Sequence, residues 1–331
     1  MITLCKSYSF VNDFDSGYRS VSAEQMNEVI LFSNNVSSLP NYQTMKARIA
    51  LYANADKPSA ILWAEYAARK LQELESIIFV TGNVAEKFSD DIKSHCEVID
   101  LYEFEKRADF VVTFGGDGTM LSAARTLLNG DIPIMGVNVG KLGFLAEFSV
   151  NELDDALTSL VNGNYRIVDR AILETTIRGE TLYALNEFVI EKSHSPKMIT
   201  VRAEVGEYLI ADYRADGVMI TTPTGSTAYS LSCGGPIIAP ATNVLCLTPI
   251  APHSLTMRPL VITDSLEITF TLQTAAHNAT IVADGQIERE LYVGESLTVK
   301  KSDKDVKIIK HTQTTYFELL RKKLLWSAEG T

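Results

Sequence analysis

The chain of 331 residues has four cysteines, Cys5, Cys96, Cys233 and Cys246, and no CxxC pair among them. Scattered thiols exclude a zinc knuckle, and a chain this long needs no disulfide staples. A reducing compartment fits them. The five histidines show no metal-ligand spacing, so no protein-built metal site is expected. Positive charge is in short supply: 30 Lys and Arg stand against 41 Asp and Glu, a net charge of −11. A nucleic-acid partner, which needs a basic face, is not expected, although a local basic pocket for phosphates remains open. No apolar run approaches the length that spans a bilayer, so no membrane partner is expected either. The first twenty residues lack a signal-peptide core and carry acids that transit peptides avoid, which makes the cytoplasm the expected location. What is present is ordinary globular composition, 46% hydrophobic and 21% charged, over a length that allows two domains.

The most informative stretch is ADFVVTFGGDGTMLSAARTLL, from Ala108 to Leu128. Asp109 to Phe114 is suited to a buried strand, and Leu121, Ala124 and Leu128 recur at helical spacing. Between them lies Gly-Gly-Asp-Gly-Thr. Glycines there let a phosphate approach closely, and the free N–H groups of a helix start point at an anion. Asp117, in the middle, has two readings. It caps the helix, or it accepts a proton in phosphoryl transfer, since a carboxylate beside phosphate is otherwise repulsive.

Residues 1–45 are weakly patterned and read as an extension. Strand and helix signals then alternate from Arg48 through the Pro58 helix, with Ile61, Ala64, Ala68 and Leu71 on one face, to Asn162. That alternation predicts a doubly wound, Rossmann-like α/β domain over 46–164. The period then changes to two. Strands are predicted at Leu182–Glu191, Val218–Thr221, Leu260–Thr271, Ala279–Ala283, Ser296–Lys300 and Val306–Lys310, among others, giving a β-rich domain over 165–310. A terminal helix with Phe317, Leu320 and Leu324 on one face has no partner of its own class. Residues 311–331 are expected to dock back on the first domain.

Two further motifs carry chemistry. Arg214 to Pro236, RADGVMITTPTGSTAYSLSCGGP, concentrates small hydroxyls and glycines of the kind a nucleoside needs, or else is a turn cluster. Asn186-Glu187 is a polar pair inside an apolar run; a ribose diol or a buried structural hydrogen bond would satisfy it. His253, alone in a loop, signals nothing by itself.

Together these blocks closely resemble the NAD kinase family: GGDGT at Gly115–Thr119, NVGKLGFL at Asn138–Leu145, Asn186-Glu187, and Arg214–Pro236. His253 in PHSLTMRPLVI, Asp284-Gly285-Gln286 and the terminal KKLLW also fit. The resemblance spans about Arg48 to Trp326. It implies ATP-dependent phosphorylation of the 2′-hydroxyl of the adenosine ribose of NAD, with Mg²⁺ or another divalent cation carried in on the nucleotide. It implies an α/β domain followed by a β-sandwich. It also implies roles: Asp117 as proton acceptor, Gly116 and Gly118 beside phosphates, and Asn186 and Glu187 on adenine and ribose. Asp216 is placed on the nicotinamide side, with Thr227, Ala228, Tyr229, Ser230, Leu231 and Ser232 wrapping the dinucleotide. Lys197, Arg214 and Gln286 are implied as further contacts, with Phe144 and His253 lining the pocket.

Two other functions share these signals. A diacylglycerol- or sphingosine-type lipid kinase would use the same GGDGT corner but want an apolar cleft. A non-catalytic dinucleotide sensor would need no Asp117. The resemblance further implies a homodimer or homotetramer in which a neighbour helps complete the site. The apolar run Leu182–Glu191 is expected to supply surface for that contact.

Overall fold

A computed structural model of the chain describes residues 46–140, 142–312 and 314–326. The expected extension 1–45, Lys141 of the second motif and the last residues of the expected C-terminal segment lie outside the described residues.

The chain enters order at β1 (Arg48–Ala53), whose Ile49, Ala50 and Leu51 are all fully buried, the pattern of a strand covered on both faces. Helix α1 (Pro58–Glu73) begins on proline and buries Ile61, Ala64, Ala68 and Leu71, as its periodicity predicts. Strands β2 (Ile77–Val80), β3 (Cys96–Val98) and β4 (Phe110–Gly115), helix α2 (Asp117–Thr126) and strand β5 (Ile134–Asn138) follow. A two-residue strand β6 (Phe148–Ser149) and helix α3 (Leu153–Val161) complete this part. Its strands lie in the order β5-β4-β1-β2-β3, all parallel. Helices α1 and α3 share one core with the sheet, and α2 packs in another. Covered on both faces, the sheet is doubly wound.

The second half comprises β7 (Arg166–Ile177), β8 (Glu180–Ala184), β9 (Glu187–Lys192), β10 (Ile199–Val205), β11 (Tyr208–Ala215) and β12 (Gly217–Thr221). It continues through β13 (Val244–Ile250), β14 (Leu260–Thr263), β15 (Ile268–Thr274), β16 (Ala279–Ala283), β17 (Ile287–Leu291), β18 (Ser296–Lys310) and helix α4 (Tyr316–Leu324). Six strands form a sheet of order β14-β13-β12-β9-β16-β17, antiparallel throughout. The rest extend the first sheet: β18 pairs parallel with β5, and β15, β10 and β11 follow it antiparallel. Leu173, Val201, Phe270 and Val299 from one sheet meet Phe188, Ile190, Ile220 and Leu247 from the other, making the sandwich core.

Strand β18 threads both cores. Leu297 and Val299 lie in the sandwich, whereas Val306, Ile308 and Ile309 lie in the α/β part. The division into 46–164 and 165–310 is therefore a proposal about folding units, because one sheet runs through both.

Some predicted elements differ. Leu182–Glu191, predicted as one strand, is two, β8 and β9, in different sheets. The break falls at Leu185-Asn186, where Asp284 and Thr222 take the backbone groups that a ladder would have used. The apolar residues of this run, Leu182, Phe188, Val189 and Ile190, are buried within the chain, so they supply no surface for a neighbour. Leu260–Thr271 likewise divides into β14 and β15 across the two sheets. Conversely, Ser296–Lys300 and Val306–Lys310 are one strand. The polar stretch between them only shifts the register, with Lys301 paired to Asp264 and Ser302 to Glu174. In α4 the buried face is Leu319 and Leu320, and Phe317 is exposed. This helix does return to the first part: the Lys323 ammonium donates to the Leu142 carbonyl and lies 5.3 Å from the Phe144 ring. Among the described residues no helix is long and apolar enough to cross a membrane.

Candidate active site

Parallel pairing of β4 with β5 sets Gly115 opposite Asn138, so the two motifs that leave these strands emerge side by side. Gly116 is the N-cap of α2 and Asp117 its first helical residue, with no side-chain cap bond. The capping reading of Asp117 therefore fails. Its carboxylate turns instead to the neighbouring loop. Oδ2 accepts the N–H of Phe144 at 2.8 Å, and Oδ1 accepts those of Leu145 and Ala146, each at 3.0 Å. Three donors fix the carboxylate more firmly than a single capping bond does. The approach is close enough that a Cβ on Gly143 would overlap the Asp117 carboxylate.

A second carboxylate repeats this arrangement. Asp284, on the turn between β16 and β17, accepts the N–H groups of Leu185 (2.9 Å), Asn186 (2.7 Å) and Glu187 (3.2 Å). Thr222 completes the hold: its N–H donates to the Asn186 carbonyl and its hydroxyl to that of Leu185. Gly225 backs onto Asn186 so tightly that a side chain there would strike its backbone. With the backbone of Asn186 fully used, its side-chain amide has no partner among the described residues. Glu187 is 5% exposed, and its Oε2 is buried without a hydrogen bond. Burial, and then the nearby Asp284, push its carboxyl up to about 8. Burial raises Asp284 as well, against the three N–H donors that favour its charged form. Two buried carboxyls this close do not both ionise at low cost. The donors favour the anion on Asp284, which leaves the proton on Glu187.

Gln286 joins the two grips. Its amide donates to the Gly118 carbonyl at 3.0 Å, and its oxygen accepts from Arg125 at 2.7 Å. A cleft of about 630 Å³ opens here, at the ends of β1 and β4. Gly116, Gly118, Thr119 and Gln286 form one wall, and Asn54, Asp56, Lys57 and Lys87 line the other. Mixed charge with two lysines suits a polyphosphate and its counter-cation, and does not suit a lipid tail.

The structure does not gather all the residues implied by the resemblance. Asp117, Gly116, Gly118, Phe144 and Gln286 form one group, linked through Asp284 to Asn186 and Glu187. Asp216 forms an ion pair with Lys192 at 2.6 Å, at the opposite end of the β9–β12 ladder from Glu187. Five ladder steps separate them, about 17 Å at roughly 3.4 Å each. Arg214, His253 and Lys197 are exposed on that far side; His253 donates its N–H to the Arg214 carbonyl at 2.9 Å. Tyr229, in a one-turn helix, Tyr229–Ser232, lies within electrostatic reach of Glu191 and Asp216. Thr227, Ala228 and Leu231 are partly exposed, and Tyr229 and Ser232 are exposed. Ser230 is a correction: it is fully buried, with its hydroxyl 2.9 Å from that of Thr248, so its side chain holds the loop and does not face a ligand.

Sequence reasoning named Gly143, Asp284 and Thr222 within motifs but gave none of them a role. Gly143 lay inside a recognised motif, and Asp284 beside Gly285 in DGQ is a turn signal that was available. Nothing local marked Thr222 among its neighbouring hydroxyls. Among the described residues no group of three His, Cys, Asp or Glu side chains could hold a metal ion.

Residues 49–165 match the ATP-NAD kinase N-terminal domain, and residues 185–311 match the ATP-NAD kinase C-terminal domain. The NAD kinase of Bacteroides fragilis is 36% identical over 288 residues, 86% of this chain and 99% of that protein. The NAD kinase of Sulfurimonas denitrificans is 43% identical over 222 residues, 66% of this chain and 78% of the other. Among solved structures, yeast NADH kinase complexed with NADH superposes with a TM-score of 0.79 at 24% identity, covering 89% of this chain and 94% of that one. An NAD kinase from Archaeoglobus fulgidus in complex with ATP gives 0.68 at 26% identity, covering 84% and 98%.

Proposed function

The chain belongs to the NAD kinase family, and from that premise we propose how its residues perform the transfer of the terminal phosphoryl of ATP to the 2′-hydroxyl of NAD. One observation carries the assignment. The carboxylate of Asp117, which sits between the cleft-lining Gly116 and Gly118, is held by three backbone N–H groups and does not cap its own helix.

Asp117 takes the proton of the 2′-hydroxyl as the ribose oxygen bonds to the γ-phosphorus. The bond from that phosphorus to the bridging oxygen breaks, and ADP leaves with the electron pair. A positioned base contributes roughly 10²–10⁴ in rate. Orientation, and a divalent cation on the donor phosphates, supply much of the rest. ATP as donor is supported by the A. fulgidus kinase, which was solved with it. In this reading Mg²⁺ arrives as part of the nucleotide, and Gly116, Gly118, Lys57 and Lys87 face the phosphates. Glu187, protonated and with an unpartnered oxygen, meets a ribose hydroxyl, and the open amide of Asn186 meets the adenine. Thr227, Ala228, Tyr229, Leu231 and Ser232 wrap the dinucleotide from the loop, and Phe144 lines the pocket.

The same proposal makes the protein a homodimer or homotetramer. What supports it is the position of Asp216, a ladder's length from Glu187 in the same chain. A neighbour's Asp216, with its Arg214, Lys197 and His253, would then serve the nicotinamide half. A cytoplasmic location belongs to the proposal too, on the ground of cysteines without a pairing.

The test is a coupled NADP-formation assay with Mg-ATP on Asp117→Asn, alongside a direct NAD-binding measurement. Asn removes the base and turns one accepting oxygen into a donor. Turnover falls by about two to four orders of magnitude while NAD affinity changes by a small factor. Near-normal turnover would overturn the assignment.

A further inference from the structure

We propose that Lys310 is a positioning residue for phosphoryl transfer, acting on Asp117 through the peptide group between Phe144 and Leu145; this rests on the reading of Asp117 as proton acceptor. Lys310 ends β18 and is 3% exposed. Its ammonium donates to Glu147 Oε1 at 2.6 Å and faces the Phe144 carbonyl oxygen at 3.4 Å. That carbonyl belongs to the same planar peptide group whose N–H, on Leu145, donates to Asp117 Oδ1 at 3.0 Å.

The lysine thus holds both ends of the tripeptide 144–146 whose three N–H groups grip Asp117. At one end it attracts the carbonyl of the first residue, and at the other it fixes the side chain that follows the last. At 3.4 Å the carbonyl contact is a charge–dipole attraction and not a short hydrogen bond. A cation on that oxygen still polarises the peptide and strengthens its N–H as a donor. Because the peptide is rigid, fixing the oxygen also fixes the direction of the N–H.

The location is a costly one for a lysine. Burial lowers its affinity for the proton, and the nearby Arg170 adds to that; Glu147 and Asp117 oppose both. A methionine would pack the same space without desolvating a charge, and buried ion pairs add little stability over apolar residues of equal size. The charge is therefore placed for the loop it controls, and not for packing.

Lys310→Met tests this. It lowers kcat by about 10- to 100-fold while KM for NAD and for ATP stays within about threefold. Lys310→Met combined with Glu147→Gln removes the orphaned carboxylate and keeps the low kcat while recovering the thermal transition. If kcat recovers along with stability, the loss was one of folding and the proposal falls. On the Asp117→Asn background Lys310→Met costs less than about twofold more, because residues acting as a unit are not additive. A full, additive loss there overturns the role of Lys310 and leaves Asp117 as the base. Near-normal turnover of Asp117→Asn alone overturns the base itself, whatever Lys310 does.

Discussion

The side-chain amide of Gln286 donates to the carbonyl oxygen of Gly118 at 3.0 Å, across 168 residues of sequence. Gln286 belongs to the same tight turn as Asp284, where both Asp284 and Gly285 take positive φ. One turn of the second sheet therefore holds the first turn of α2 and the Asn186-Glu187 break together. The base and the groups proposed to hold the ribose are set relative to each other by this turn. Their own strands do not fix that relation.

Gly143 is the sharpest local test of the Asp117 grip. Gly143→Ala puts a methyl group into the space of the carboxylate, which must leave its three donors. We expect kcat to fall about 100-fold with a stability loss of roughly 1–3 kcal/mol. Gly140→Ala in the same loop meets only the Asn138 side chain, at 3.9 Å, and should be tolerated. Equal effects of the two substitutions, in kcat and in thermal unfolding, would sink the argument.

Glu187 makes stability depend on pH. Its carboxyl is pushed from 4.5 to about 8 in the folded chain. Between those values the folded state holds a proton that the unfolded state has lost, so stability falls as pH rises through that window. Glu187→Gln removes the titration. The difference in melting temperature between variant and parent should widen in the variant's favour from about pH 5 to about pH 8, then level off. The parent should retain the tighter NAD binding. A difference that stays constant with pH would show that Glu187 is not buried as described.

The shared site predicts a concentration dependence. Specific activity should fall on dilution as mass measurements report dissociation, and NAD should oppose both by mass action. Asp216→Ala should weaken NAD binding while leaving the Asp117 grip intact. A monomer with full activity at assay concentration would exclude the arrangement.

By itself the sequence determined the local elements and the inventory of the site. Periodicity marked α1 and the change from helix to strand near residue 165, because burial on one face writes its period into the chain. GGDGT, Asn186-Glu187 and the hydroxyl-rich loop were legible because each works through residue types at short spacing. Tertiary structure decided what those residues do. Asp117 is no cap because the loop that leaves the neighbouring parallel strand brings three N–H groups to it. Leu182–Glu191 breaks in two because Asp284, nearly a hundred residues away, satisfies its backbone at the crossing between sheets. Ser230 turns inward because Thr248 stands beneath it, and Lys310 lies behind Asp117 because one long strand crosses from the sandwich into the parallel sheet. Each depends on a partner distant in sequence, and a local pattern carries no record of which distant group arrives to accept or donate a hydrogen bond.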